Sequence, residues 1–163
     1  MDGPCARFSR NGRYRYLLTR PIGTGPRVTF VMLNPSTADA FRNDPTIRKC
    51  IGFAQRWQCG QLTVINLFAL RTPSPRDLHH DPDPVGPRNR ATIIQIMQQL
   101  IPNQDIIIAA WGTHGQLHNQ AEKSLRLMNQ FGIEIECLGH TMGGHPRHPL
   151  YVRYETKRTP LKV

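Results

Sequence analysis

Short apolar runs alternate with amphipathic stretches along most of the chain. Four near-continuous apolar runs are typical of β-strands buried on both faces, at 27–33, 62–70, 105–110 and 133–138. Between these runs the apolar residues recur at helical spacing, which predicts α-helices over 46–57, 89–100 and 119–131. This alternation of strand and helix predicts parallel strand pairing, with helices packed on both faces of the sheet.

Turn and capping residues complete the predicted architecture. Asn11 and Gly12 are typical of a type I′ turn and predict an N-terminal β-hairpin. Asp44 followed by Pro45 matches a helix N-cap and the first helical position. The sequence therefore predicts a single domain over residues 1–163, a three-layer α/β/α fold with a four-stranded, mainly parallel sheet and the N-terminal β-hairpin.

The charge balance points to a class of partner. Lys and Arg total 21 against 11 Asp and Glu, which gives a formal net charge of +10. Such a surface favours polyanions and above all nucleic acid, so a nucleic acid is the expected partner. The alternative is that this charge only keeps the protein in solution.

Other function classes are disfavoured by composition. No apolar run approaches the ~18 to 20 residues that a membrane span needs, and the N-terminus lacks the apolar stretch of a signal peptide. We therefore expect a cytoplasmic location and no membrane partner. Cys5, Cys50, Cys59 and Cys137 form no C-x-x-C pair and match no common zinc or iron–sulfur spacing, so reduced thiols, no metal and no cofactor are expected.

Polar, sharply turned segments follow all four predicted buried strands. Because the ligands of such sheets bind beyond the carboxyl ends of the strands, we expect these segments to meet around one ligand. The candidate residues in them are Asn34, Pro35, Ser36, Thr37, Arg71, Thr113, His114, His145, Arg147 and His148.

Some of the candidate side chains have alternative roles that the sequence leaves open. The amide of Asn66 lies within an apolar strand, so it either bonds a neighbouring loop or reads the edge of a planar ligand. Asn34 either orients a water or a carbonyl group, or caps the turn that Pro35 imposes. His145 and His148, in one Gly/Pro-rich loop, are candidates to donate a proton or to stabilise a developing anion.

Several long motifs resemble one family over nearly the whole chain, from residue 14 to residue 152. The strings RYLLTR, VMLNPSTADA, NDPTIRKC, INLFALRTPSPRDL, DPVGPRNR, WGTHG and GHPRHPL closely resemble domain-of-unknown-function family 1643, which occurs in bacteria and phages. That resemblance implies no agreed activity.

A second, shorter resemblance is to the uracil-DNA glycosylase superfamily. VMLNPS is similar to the catalytic motif of its mismatch-specific branch, which implies that Asn34 positions the attacking water. INLF is similar to the strand that carries a base-reading asparagine, which implies that role for Asn66. HPRHP is similar to a loop that grips the DNA backbone and the base, although Arg147 stands where that loop has a serine.

This second resemblance implies a set of functional roles. Asn34, His145 and His148 would be catalytic. The base would be held by Asn66, Pro35 and Ser36, with Phe41 or Phe68 as the stacking aromatic. The nucleic-acid backbone would contact Thr37, Arg71, Thr113, His114 and Arg147.

Three functional hypotheses follow from these features. The first is a DNA-binding, glycosylase-like protein that recognises or excises a nucleobase, including modified bases, by N-glycosidic hydrolysis. The second is an enzyme that acts on free nucleosides, nucleotides or nucleotide-sugars. The third is a nucleic-acid-binding module without catalysis. Steep salt dependence of binding would separate the first and third from the second.

Overall fold

The strands form one seven-stranded mixed sheet, seen in a computed structural model that describes residues 3–162. In chain order they are β1 (Cys5–Phe8), β2 (Arg15–Pro21), β3 (Arg27–Met32), β4 (Gln61–Asn66), β5 (Ile106–Ala109), β6 (Ile135–Cys137) and β7 (Thr159–Pro160). Their order across the sheet is β1-β2-β4-β3-β5-β6-β7. The predicted domain ends, residues 1, 2 and 163, lie outside the described residues.

The predicted mixed α/β class is confirmed, but the four-stranded, mainly parallel sheet is wrong. The four predicted buried strands do pair in parallel, as β4-β3-β5-β6. Antiparallel strands extend both edges, with β1 and β2 beside β4 and with β7 beside β6. The predicted hairpin is therefore part of the main sheet, because the buried run at the start of β2 needs cover on both faces.

The helices divide between the two faces of the sheet. They are α1 (Pro45–Arg56), α2 (Asp77–His80), α3 (Asn89–Gln99) and α4 (Gln120–Met128). Alternate residues of the strands belong to different hydrophobic clusters, as expected when successive side chains point to opposite faces. One cluster joins the sheet to α1, and the other joins it to α3 and α4. No helix within residues 3–162 is long and apolar enough to cross a membrane.

Local capping and strand register position the carboxyl edge of the sheet. Asp44 caps α1 through a hydrogen bond from Ile47 N to its carboxylate at 2.8 Å, and Pro45 takes the first turn, as predicted. Met32 is the register partner of Asn66, so β3 and β4 end side by side. The segments that follow these strands therefore begin at one place.

Candidate functional site

A pocket of about 370 Å³ lies where the central strands end, on the face covered by α1. Its wall includes residues from all four of the segments predicted to meet, namely Asn34, Ser36, Asn66, Thr113, His114 and His148. It also includes residues that were not among the predicted site residues, of which the polar and aromatic ones are Arg15, Asp44, Thr46, Thr72, Trp111 and Tyr151. The expected convergence of the strand ends is therefore present in the structure.

Asn66 lines this pocket and carries a buried, unpaired amide. The residue is 1% exposed, and neither its Oδ1 nor its Nδ2 has a hydrogen-bond partner among the described residues. The bond to a neighbouring loop, one of the two roles left open by the sequence, is thus not made. A buried amide without partners costs stability, since it has lost its bonds to water and gained none. A ligand edge in the pocket would supply the missing donor and acceptor.

The backbone at Asn66 is held by a second asparagine. Asn89, at the start of α3, is fully buried and donates from Nδ2 to Asn66 O at 2.9 Å and to Leu67 O at 3.1 Å. These bonds satisfy carbonyl groups just where β4 ends and its ladder stops. Asn89 is a positioning residue that the sequence did not reveal, because an asparagine beside Arg88 at a helix start resembles an ordinary polar helix terminus.

Arg15 brings a buried positive charge to the pocket wall. The residue is 2% exposed, and its Nη1 donates to Ala38 O at 2.7 Å, while its Nε is buried without a partner. Burial lowers the pKa of Arg15 to about 10, and the nearby carboxylate of Asp44 acts in the opposite direction. The guanidinium is therefore still charged at neutral pH, with most of its donors not used by the protein.

Asn34 performs the turn-capping role that the sequence allowed. Its Nδ2 donates to Thr72 O at 2.9 Å and to Pro35 O at 3.0 Å, which ties the segment after β3 to the segment after β4. Its Oδ1 has no hydrogen bond within residues 3–162. Because Asn34 also lines the pocket, that oxygen is available to orient a water there.

His148 and Tyr151 form another part of the pocket wall. Nδ1 of His148 accepts from Leu150 N at 3.3 Å, so in the neutral ring the proton is on Nε2. Burial lowers the pKa of His148, which favours that neutral form. Tyr151 is 76% exposed, and its ring centroid lies 5.8 Å from that of His148. The pair offers a hydrogen-bond donor beside an exposed aromatic face.

Asp44 and Thr46 line the pocket at the start of α1. Both carboxylate oxygens of Asp44 accept from backbone amides, one from Ile47 at 2.8 Å and the other from Ala38 at 3.4 Å. Asp44 thus has a structural role as the helix cap, and it is also the carboxylate of the pocket. No group of three His, Cys, Asp or Glu residues that could hold a metal ion is found among residues 3–162.

The two candidate stacking aromatics are not brought to the pocket. Phe68 is fully buried in the cluster under α3 and α4, on the opposite face of the sheet. Phe41 is 87% exposed on the segment before α1 and does not line the pocket. Tyr151 is the exposed aromatic at the pocket instead. In the sequence this tyrosine directly follows the motif HPRHPL, and because it lies outside that motif the resemblance does not predict it as a site residue.

Several other predicted residues also lie elsewhere. His145 is separated from His148, and its Nε2 lies 3.1 Å from Nε2 of Gln116, in a different groove. Arg71 donates to Gly12 O at 3.0 Å, and Arg147 donates to Tyr151 O at 3.2 Å. The order of residues in a loop does not show which side chains face inward. The predicted site residues that lie outside the pocket wall are Pro35, Thr37, Phe41, Phe68, Arg71, His145 and Arg147.

The fold and the site together define a mixed α/β protein with a polar pocket at the carboxyl ends of its central strands. The chain belongs to the family described as "Protein of unknown function (DUF1643)", whose match covers residues 15–150. That range begins at Arg15 and includes Asn66, Asn89 and His148. Comparisons with curated proteins and with solved structures gave no match, so the resemblance to uracil-DNA glycosylases has no support from them.

Proposed function

We propose that this pocket binds a nucleobase and that the protein hydrolyses the N-glycosidic bond of a nucleotide in DNA. The observation that carries the proposal is the unpaired, buried amide of Asn66 in the pocket wall. An amide offers one acceptor and two donors in one plane, and this pattern complements the hydrogen-bonding edge of a base.

The size of the pocket supports a single nucleotide as the bound unit. About 370 Å³ is near the lower end of the ~300–1,000 Å³ typical of ligand sites. A base inside duplex DNA cannot enter such a space unless it is extruded from the stack. The exposed ring of Tyr151 at the pocket would stack on a base that has left the duplex.

The proposed reaction assigns a role to each polar group. The bond between C1′ and the base nitrogen breaks, the base leaves with the bonding electrons, and a water oxygen bonds C1′. Asn34 Oδ1 orients this water, and the carboxylate of Asp44 accepts its proton. Nε2–H of His148 donates a hydrogen bond to the departing base as negative charge develops on it. The base then takes up a proton from solvent, and Asp44 returns its proton to solvent.

The surface charge supports DNA as the carrier of the base. The net charge of +10 favours contacts to phosphates along a strand, independently of the pocket. The second candidate function is hydrolysis of a free nucleotide. It is favoured by Arg15, because a charge buried at 2% exposure is reached more easily by a small ligand than by a continuous strand.

The first experiment measures binding of single- and double-stranded fluorescent oligonucleotides across a salt series, followed by chromatographic detection of released base. We expect salt-sensitive binding and release of one class of base. The variant Asn66→Leu should keep the surface charge and the salt-dependent binding but lose base release. Arg7→Gln, an exposed cation outside the pocket, is the matched control for release.

Each alternative outcome selects a different function. Binding without release from any base tested would favour the non-catalytic binding module. Release from free nucleotides together with weak, salt-insensitive DNA binding would favour the second candidate. Absence of both binding and release would overturn the proposal.

A further inference from the structure

Two buried arginines of β2 have very different surroundings. Arg15 is 2% exposed and Arg20 is 6% exposed, and each bonds the segment that precedes α1, Arg15 at Ala38 and Arg20 at Asn43. Buried guanidinium groups are costly unless their donors and their charge are compensated. How each of the two is compensated therefore indicates what it does.

Arg20 is satisfied by the protein itself. Its Nε donates to Asn43 Oδ1 at 2.8 Å, its Nη1 to Thr19 O at 2.9 Å, and its Nη2 to Asp39 O at 2.5 Å. It does not line the pocket at the strand ends. Arg20 is thus a structural arginine that ties the segment before α1 to the edge of the sheet.

Arg15 is not satisfied in this way. Of the five N–H donors of its guanidinium, one bonds Ala38 O at 2.7 Å, and Nε is buried with no partner. Within residues 3–162 neither Arg15 nor Arg20 forms an ion pair, since the salt bridges there join Arg13 to Asp81, Arg126 to Glu122 and Arg158 to Glu136, so the two residues differ in their hydrogen bonds. Arg15 therefore brings a charge with unused donors to the wall of the pocket that it lines.

We propose that Arg15 binds the phosphate of a nucleotide ligand inside this pocket. The proposal rests on the proposed function for the placement of the base at Asn66, and it adds the chemical class of the second ligand group. A guanidinium offers paired N–H donors that match two phosphate oxygens, and such charge-assisted bonds are about twice as strong as neutral ones.

The surroundings of Arg15 fit an anion of this kind. Thr46, in the first turn of α1, lines the same pocket, so the positive end of the helix lies on the same side. The one carboxylate of the pocket, Asp44, has each oxygen bonded by a backbone amide. Asp44 is near enough to act on the pKa of Arg15, but it forms no salt bridge with Arg15, so the free donors of Arg15 are left for a ligand.

The phosphate can come from two sources with the same chemistry. One is the terminal phosphate of a free mononucleotide, and the other is the phosphodiester of a nucleotide extruded from a strand. A dinucleoside monophosphate carries a phosphodiester and no terminal phosphate. It therefore distinguishes the second source from the first.

The test measures calorimetric affinity for the four deoxyribonucleosides, their 5′-monophosphates, the corresponding dinucleoside monophosphates and inorganic phosphate. We expect the wild-type protein to bind at least one phosphate-bearing ligand about tenfold or more tightly than its nucleoside. Arg15→Gln should abolish this preference. Arg15→Lys should retain part of it, and Arg20→Lys, the matched control from the same strand, should retain it fully.

Two results would overturn the inference. The first is that the wild type binds nucleosides and phosphate-bearing ligands equally well, or binds neither. The second is that the preference for phosphate-bearing ligands survives in Arg15→Gln. If Arg15→Gln does not fold, the proposal is tested by the affinities of Arg15→Lys and by competition with inorganic phosphate. Phosphate should displace the nucleotide from the wild type and leave nucleoside binding unchanged, and failure to displace it would contradict the proposal.

This experiment, together with the assay of base release, separates the inference from the proposed function. Arg15-dependent nucleotide binding without release of a base would leave the inference standing and remove the hydrolytic function. Release of a base, together with nucleotide affinity that is unchanged in Arg15→Gln, would support the hydrolytic function and contradict the inference about Arg15.

Discussion

Nδ2 of Asn89 donates to the backbone oxygen of Asn66 at 2.9 Å, while the side-chain amide of Asn66 itself has no partner. The two buried asparagines therefore differ in how many of their polar atoms are paired. Nδ2 of Asn89 satisfies two carbonyl groups at the end of β4 and only its Oδ1 is unpaired, whereas both Oδ1 and Nδ2 of Asn66 are unpaired. The contrast makes the role of Asn66 testable in the absence of any ligand.

Replacing Asn66 by leucine should stabilise the fold. Leucine has a similar volume and removes an unpaired amide, whose burial costs about 1–3 kcal/mol. We expect the free energy of unfolding from urea titration to rise by about 1 kcal/mol or more. A fall of similar size would show that the amide has a structural partner, and it would argue against a ligand-reading role.

Asn89→Leu is the matched comparison for that substitution. It removes the donor to Asn66 O and to Leu67 O, and it leaves both carbonyls buried at the end of the strand. We expect the free energy of unfolding to fall by about 2 kcal/mol or more. Equal effects of the two substitutions would contradict the different roles given to the two residues.

The stability of the protein should depend on pH through His148. Burial lowers the pKa of His148 in the folded state below its usual value near 6.5. As the pH falls below about 6.5, the unfolded chain takes up this proton before the folded protein does, so stability is lost. The loss ends once the pH is below the folded pKa, and above about pH 7 this residue contributes no slope.

Urea titrations of wild type and His148→Gln between pH 7.5 and pH 4.5 would check this prediction. The variant should show a smaller loss of stability across the window. His80→Gln, which replaces an exposed histidine on the short helix α2, is the control substitution. Parallel curves for wild type and His148→Gln would contradict the burial of this ring.

The buried thiols should be unreactive in the native state. Cys50, Cys59 and Cys137 are buried and Cys5 is exposed. Burial raises the pKa of Cys50 and of Cys59, which lowers the fraction of reactive thiolate. We expect a disulfide reagent to label one thiol rapidly in the folded protein and all four after denaturation. Rapid labelling of two or more native thiols would show that this core is open, and Cys5→Ser should remove the fast phase.

The sequence predicted the parts of the site that depend on chain direction. The polar segment after each buried strand had to lie at one sheet edge, and Asn34, Asn66 and His148 do meet there. It did not predict which side chains face the pocket. His145 and His148 are three residues apart in one loop, yet His145 contacts Gln116 in another groove.

The parts that could not be predicted depend on long-range pairing. Arg15 looked like one of many basic residues on a hairpin, because the sequence does not show that β2 lies beside β4 within the main sheet. This pairing buries Arg15 and turns a surface charge into part of the pocket wall. The two-residue strand β7 is too short for a period-2 pattern, so its pairing with β6 was also missed.

A glycine on α1 is required by the docking of the C-terminal segment. The position of a Cβ on Gly52 would be 2.5 Å from the hydroxyl oxygen of Tyr154. That ring lies edge-on to Phe53, with centroids 5.1 Å apart, and Lys49 Nζ lies 3.9 Å from its centroid. Gly→Ala within a helix normally stabilises by about 0.5–1 kcal/mol. Here the methyl group must displace Tyr154, so the sign should reverse.

We expect Gly52→Ala to lower the free energy of unfolding by about 1 kcal/mol, because displaced aromatic packing and cation–π contact outweigh the helix propensity. In a Tyr154→Ala background the obstacle is gone, and the same Gly52→Ala change should stabilise by about 0.5–1 kcal/mol. A double-mutant cycle in urea gives the coupling as the difference between these two effects. A cycle with no coupling would mean that Tyr154 does not pack on α1 in solution.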